Sequence, residues 1–202
     1  GNYTTASAVG SHSEGVGTSD IKTLINNFVP GNGTIDGRTG IVQTQAIQIA
    51  SHAEGYATVA GGTGTHSEGI ATRASISGAH AEGIATQANG MASHAEGVST
   101  IASGTSSHSE GQNTIASGWG AHAEGLVQFP NTGSIKATGK GAHAGGSAFA
   151  SSINGIANIL AGSTASYARG SVTAQNSSEG SLTSNGDGSR ATGSIYVNGA
   201  NS

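Results

Sequence analysis

The chain has 202 residues, of which 35 are Gly and none Cys; 9% are charged, 4% are aromatic, and the formal net charge is −4. So little large apolar material cannot fill a thick two-layer core, which leaves a single copy marginal and points to oligomerisation as the remedy. The 7 Lys and Arg are scattered without a basic run, which argues against nucleic acid, and no stretch approaches the roughly 20 apolar residues of a membrane span. With neither an initial Met nor a signal peptide, the chain is expected to be a fragment or a processed product.

Taken in order, residues 1–15 already hold one copy of a motif, Ser11-His12-Ser13-Glu14-Gly15. Residues 16–50 are an excursion. Within it Ser19 or Asp20 can cap a short helix in which Ile21, Leu24, Ile25 and Phe28 fall at helical spacing, ended by Pro30 and Gly31. Its expected role is packing, over the roll's end or against a neighbouring subunit. Residues 41–50 then read as a strand leading back into regular structure.

From residue 51 the motif recurs at a fixed interval. His52, His66, His80, His94, His108 and His122 are each 14 apart (66 − 52 = 14, and so on), and a constant period marks a repeat architecture. After each His comes Ala or Ser, then Glu (Glu54, Glu68, Glu82, Glu96, Glu110, Glu124), then Gly. Thr58, Thr72, Thr86, Thr100 and Thr114 form a further column, and Ala60, Ala74, Ala88, Ala102 and Ala116 another. Fourteen residues are too few for a helix pair, and Gly, Ser and Thr at this density make poor helices. The unit therefore reads as one β coil: two strands of about four or five residues each, joined by Gly-led turns and stacked at roughly 4.8 Å on its neighbours. His and Glu, two apart, share a strand face while the small residue between them takes the other. If Ala and Ser fill the coil, His and Glu form two columns on its outside. Tyr56, Ile70, Ile84, Val98, Gln112 and Leu126, just after the motif Gly, are expected to cover the interior or a subunit contact.

Past Gly125 the rhythm loosens. The turn-rich Phe129-Pro130-Asn131-Thr132-Gly133 delays the next copy, Ala142-His143-Ala144-Gly145-Gly146, in which Gly replaces Glu. Fainter echoes follow at Tyr167-Ala168-Arg169-Gly170, Ser177-Ser178-Glu179-Gly180 and Arg190-Ala191-Thr192-Gly193. The expected organisation is thus a first coil over 1–15, an excursion over 16–50, regular coils over 51–146 and degenerate coils over 147–202.

Period and motif together resemble the head repeat of YadA-like trimeric autotransporter adhesins, related repeats of which occur in the fibres and appendages of tailed bacteriophages. That unit resembles Asn-Ser-Val-Ala-Ile-Gly, and Ser51-His52-Ala53-Glu54-Gly55 occupies the same frame with His for Val and Glu for Ile. The resemblance covers residues 51–146 and one copy in 1–15. It implies an all-β fold, a left-handed parallel β-roll solenoid packed as a side-by-side homotrimer with the large motif residues facing the threefold axis. Carried onto this sequence, that axis is a seam of His12, Glu14, His52, Glu54, His66, Glu68, His80, Glu82, His94, Glu96, His108, Glu110, His122, Glu124 and His143. His of one chain is expected to bond Glu of its neighbour, and acid below roughly pH 4 to loosen the assembly by neutralising the carboxylates.

The function expected from this is a rigid segment of an extracellular fibre that projects an adhesive surface toward a host-cell receptor, a glycan among the possibilities, with 16–50 and 126–142 as contact regions. The owner is expected to be a phage tail fibre or appendage, since no heptad stalk or membrane anchor is present; the alternative is the head of a bacterial surface adhesin. No enzyme activity, cofactor, nucleic acid or membrane insertion is expected. Ser and His adjacent in a strand face opposite ways and cannot form a nucleophile–base pair, and a motif in seven copies describes a lattice more than a pocket. There are two lower alternatives: imidazole and carboxylate suit a zinc- or nickel-class ion, and the regular Thr ladder could order water as in ice-binding proteins.

Overall fold

The computed structural model describes residues 4–16, 43–128, 133–151, 155–176 and 178–198. Among these it is all-β, with twenty strands in two parallel sheets of ten and no helix. The helix expected in the excursion lies outside the described residues. So do 17–42 as a whole and 129–132, the centres of both expected contact loops.

Two compact units divide the chain, residues 1–103 and 104–202. In the first unit every coil gives one strand to each sheet. The histidine sheet contains His12–Val16, His52–Tyr56, His66–Ile70, His80–Ile84 and His94–Val98. The other, here the alanine sheet, contains Thr4–Ala6, Thr44–Ala46, Val59–Ala60, Arg73–Ala74, Gln87–Ala88 and Ile101–Ala102. Most of its strands are two residues long, shorter than the four or five expected, because two corners consume the rest of the coil. Of the return strand expected over 41–50, only Thr44–Ala46 is strand among the described residues.

Register follows the repeat. His52 pairs with His66, Glu54 with Glu68 and Gly55 with Gly69, and the same alignment continues from His66 to His80 and from His80 to His94. The 40-residue step from His12 to His52 is absorbed without a slip, since Ser13, Glu14 and Gly15 still face Ala53, Glu54 and Gly55.

Between the two sheets of the first unit the interior is built of side chains no larger than Thr. Ala53, Ala81 and Ala95 of the histidine sheet, and Ala46, Ala60, Ala74, Ala88 and Ala102 of the alanine sheet, are all 0% exposed. The Thr rank is inside with them: Thr58, Thr72, Thr86, Thr100 and Thr114 are also 0% exposed. This corrects the ice-binding alternative, which needs that rank on the surface. Strand parity counted from His would turn Thr outward, but the residue before each Thr has a left-handed backbone (Ala57 φ 59°, Ala71 57°, Ala85 58°) and swings the chain around a corner.

Whether a buried Thr hydroxyl finds a partner depends on the Ala-or-Ser choice after His. Where that residue is Ser67 or Ser109 the two hydroxyls meet, at 2.8 Å for Ser67–Thr72 and for Ser109–Thr114, whereas Ser13 donates to the Thr44 carbonyl. Where it is Ala, the hydroxyls of Thr58, Thr86 and Thr100 are buried without a hydrogen bond. The second corner is tied by the residue before His, as when Thr65 donates to the Gly62 carbonyl and Ser93 to that of Gly90, both at 2.7 Å.

In the second unit the histidine sheet contains His108–Ser109, His122–Gln128, His143–Ala150, Tyr167–Gln175 and Arg190–Asn198. Its alanine sheet contains Thr114–Ala116, Ser134–Ala137, Ile156–Ala161 and Glu179–Ser184. The longer strands enclose a wider core in which Val127, Ile135, Ile159 and Val172 are fully buried, with Leu182 beside them. Of the three faint echoes, those at Tyr167 and Arg190 stack on the histidine frame, Tyr167 on His143 and Arg190 on Tyr167. The third does not: Glu179 and Gly180 open a strand of the alanine sheet, opposite Ile156 and Ala157.

Candidate functional site

The outer face of the histidine sheet carries the most regular chemistry in the molecule. In the coils of His52, His66 and His80 the His begins a five-residue strand that also holds the Glu, and its alternation buries the Ala or Ser between them, so both side chains leave the same face. Parallel in-register pairing then sets each ring on the next. Ring centroids are 4.8 Å apart from His12 to His52, His52 to His66 and His66 to His80, and 4.7 Å from His80 to His94, all within 13° of parallel. The spacing is that of the strands themselves. In the second unit His108 stacks on His122 at 4.9 Å, and the column then tilts, by 40° at His143 and 58° at Tyr167.

Sequence reasoning expected each imidazole to meet a carboxylate of another chain, yet a carboxylate of its own chain is already close by. In the first unit it is the Glu two residues on: Nε2 to Oε2 is 3.6 Å for His12–Glu14, His52–Glu54 and His66–Glu68, and 3.7 Å for His80–Glu82. In the second unit the contact reaches back one coil and shortens to hydrogen-bond range, with 3.3 Å from His122 Nε2 to Glu110 Oε1 and from His143 Nε2 to Glu124 Oε1. Interior pairs are about one-third exposed (His52 37%, Glu54 35%), whereas His12 and Glu14 on the first coil are each 61% exposed. His94 and Glu96 continue the first unit's ladder opposite His80 and Glu82, and His108 and Glu110 open that of the second.

Tyr56, Ile70, Ile84 and Val98 line this ladder and are half-buried. They flank the polar ranks on the outer side; the interior between the sheets of this first unit is Ala, Ser and Thr.

The missing Glu at position 145 has a structural meaning. A Cβ on Gly145 would lie 2.8 Å from Glu124 Cγ and 2.9 Å from its Oε1. The Glu124 side chain therefore crosses the space a side chain would fill, and its carboxylate meets both His143 and, at 3.5 Å, Arg169 from two coils on. Arg169 also hydrogen-bonds the Tyr167 phenol, which holds that phenol below its ordinary value; Arg190, whose guanidinium carbon sits 4.5 Å over the ring, adds to the effect. The same bond to Tyr167, with the Glu124 charge, pushes Arg169 up. Tyr167, Arg169 and Arg190 were legible as faint echoes of the motif, but their joint role at the end of the ladder was not.

Trp119 lies at the corner before His122, 61% exposed, with Lys140 Nζ 4.9 Å from its ring. One face of the indole is thus taken by a cation of the next coil.

The chain matches no family model, no curated protein and no protein of solved structure.

Proposed function

We propose that the chain is a rigid segment of a homotrimeric fibre, extracellular or on a virion, in which three left-handed β-rolls of 14-residue coils pack side by side with their His–Glu faces toward a common axis. The observation that carries this reading is the ladder: an in-register outer face of stacked imidazoles and carboxylates, only about one-third exposed in a lone chain (His66 36%, Glu68 36%) and flanked by half-buried Ile70 and Ile84. A face this flat and regular is suited to repeat the same contact at every coil. Its polar groups would select one register and one packing more than they would add stability. The thin Ala core adds weight, since an Ala methyl contributes only about 0.8 kcal/mol of burial and association hides more surface without a second core.

As a fibre segment it would hold a receptor-binding surface away from its anchor point, with residues 16–50 and 126–142 as contact regions and no catalytic step. Sedimentation equilibrium of the 19.5 kDa chain tests the assembly. A species of three times that mass is expected, and Ile70→Lys with Ile84→Lys should shift it to the single-chain mass. A wild-type monomer at micromolar concentration would overturn the reading. Binding of labelled trimer to host cells, lost when residues 129–132 are replaced by Gly and Ser with the flanking strands His122–Gln128 and Ser134–Ala137 kept, tests the adhesive role.

A further inference from the structure

In the first unit three imidazole Nε2 atoms on successive coils lack hydrogen bonds. Nε2 of His52, of His66 and of His80 is shut off from solvent and has no hydrogen-bond partner. A buried donor or acceptor left so costs free energy, and here the omission recurs at successive coils. Glu68 Oε2, on the same strand, lies 3.6 Å from His66 Nε2. That is too long for a good N–H···O bond, whose ordinary range is about 2.7–3.2 Å. It is close to the separation of two ligand atoms that share a tetrahedral ion, about 3.4 Å when metal–nitrogen and metal–oxygen bonds are each near 2.1 Å. Glu54, one coil earlier, brings a third donor, and the ligand atoms of Glu54, His66 and Glu68 all lie within 4.8 Å of one another.

We propose that Glu54, His66 and Glu68 bind a divalent first-row transition ion of the zinc class, His66 through Nε2 and each glutamate through one carboxylate oxygen, with the fourth position open to water. One imidazole and two carboxylates suit zinc and its neighbours better than calcium or magnesium, which take shells of oxygen. Two carboxylates beside a neutral imidazole carry a charge of −2 that a divalent ion cancels. Carboxylates turn about their terminal bonds, so drawing donors that lie within 4.8 Å of one another in to about 3.4 Å is a matter of side-chain rotation and not of strand movement.

Two of the other His–Glu clusters differ from this one in their present contacts. His80, Glu82 and His94 also cluster, but the two rings are parallel within 1° at 4.7 Å, and turning both nitrogens onto one ion would break that stack. In the second unit Glu110, His122 and Glu124 are grouped alike, but His122 Nε2 already donates to Glu110 Oε1 at 3.3 Å, a bond an ion must displace. The proposed site uses one chain's residues alone and does not depend on the trimer.

The test uses untagged protein freed of metal by chelator and dialysed against micromolar zinc. Zinc per chain is measured by elemental analysis, and cobalt substitution reports the geometry through its visible absorption. Glu54→Gln with Glu68→Gln, which keeps size and shape, is expected to lose one bound equivalent per chain and the matching share of the tetrahedral cobalt band. In the wild type, zinc is expected to shift the His66 Nε2 resonance, so the site can be read without a variant. An unchanged stoichiometry in the variant, or zinc that leaves the His66 resonance in place, would overturn the proposal. Sedimentation of the same samples reports assembly separately: a trimer that takes no zinc sinks the metal site alone, and a zinc-binding monomer sinks the trimeric seam alone.

Discussion

The two units stack the same motif around different interiors. In the first, the core is small clusters of alanines, Ala46 with Ala53 and Ala60, and Ala74 with Ala79, Ala81, Ala88, Ala95 and Ala102. In the second, one continuous cluster runs from Ala116 to Leu182 and includes Val127, Ile135, Ile159 and Val172. Where a coil is short its corners are close, and nothing larger than Thr fits between the sheets. Where the strands lengthen to between six and nine residues, as in Ile156–Ala161 and Tyr167–Gln175, room opens for branched side chains. The outer face changes in step: parallel rings with long in-coil Glu contacts in the first unit, tilted rings with cross-coil hydrogen bonds and an arginine–tyrosine end in the second. Strict repetition thus goes with a core held by backbone ladders, and irregularity with one held by apolar burial.

The sharpest way to break the first arrangement is at the motif glycine. Gly69 has φ +105°, and a Cβ there would lie 2.2 Å from the Gly83 carbonyl oxygen, so Gly69→Ala should cost about 3 kcal/mol or more in chemical denaturation. Gly64, also left-handed but with open space around it, is the control; Ala occupies the equivalent corner at Ala50 and Ala92, and Gly64→Ala should cost only about 1 kcal/mol. In the second unit the weak point is a side chain. Ile159→Ala, at a position 0% exposed, should cost about 3 kcal/mol by loss of burial and the cavity left behind, measured by the same denaturation.

A smaller effect distinguishes coils within the repeat. Thr72→Val strands the Ser67 hydroxyl and should destabilise by about 1–2 kcal/mol, while Thr86→Val removes an unpartnered hydroxyl and should be neutral or stabilising by up to about 1 kcal/mol. Conversely, Ala81→Ser should give Thr86 the partner that Ser67 gives Thr72. The gain is about 1 kcal/mol in a thermal melt and should vanish in the Thr86→Val background, as a double-mutant cycle would show. The smallest effect is a titration: in Arg169→Gln the Tyr167 phenol loses the guanidinium that lowers it, and its absorbance transition should move up toward the ordinary value of 10.0.

Much of this was legible residue by residue. The 14-residue interval of His52, His66 and His80 foretold which strands would pair, because an in-register parallel ladder sets identical residues side by side. The alternation of His, Ala and Glu foretold which side chains would be buried. That alternation does not extend to the Thr rank, because it holds only while the backbone stays extended, and Ala57 and its equivalents do not. Nor could spacing reveal Arg169 reaching Glu124, a contact that spans two coils and exists because Gly145 between them has no side chain.

By itself, then, the sequence determined the repeat, the all-β architecture and the outward turn of His52, Glu54 and their equivalents, all consequences of local periodicity. Only the tertiary structure decided where Thr86 would bury its hydroxyl, which carboxylate His122 would meet and how wide a core Ile159 would help fill. Those outcomes depend on where corners fall and on how one coil sits on the next, and such distances between residues remote in sequence are set by stacking.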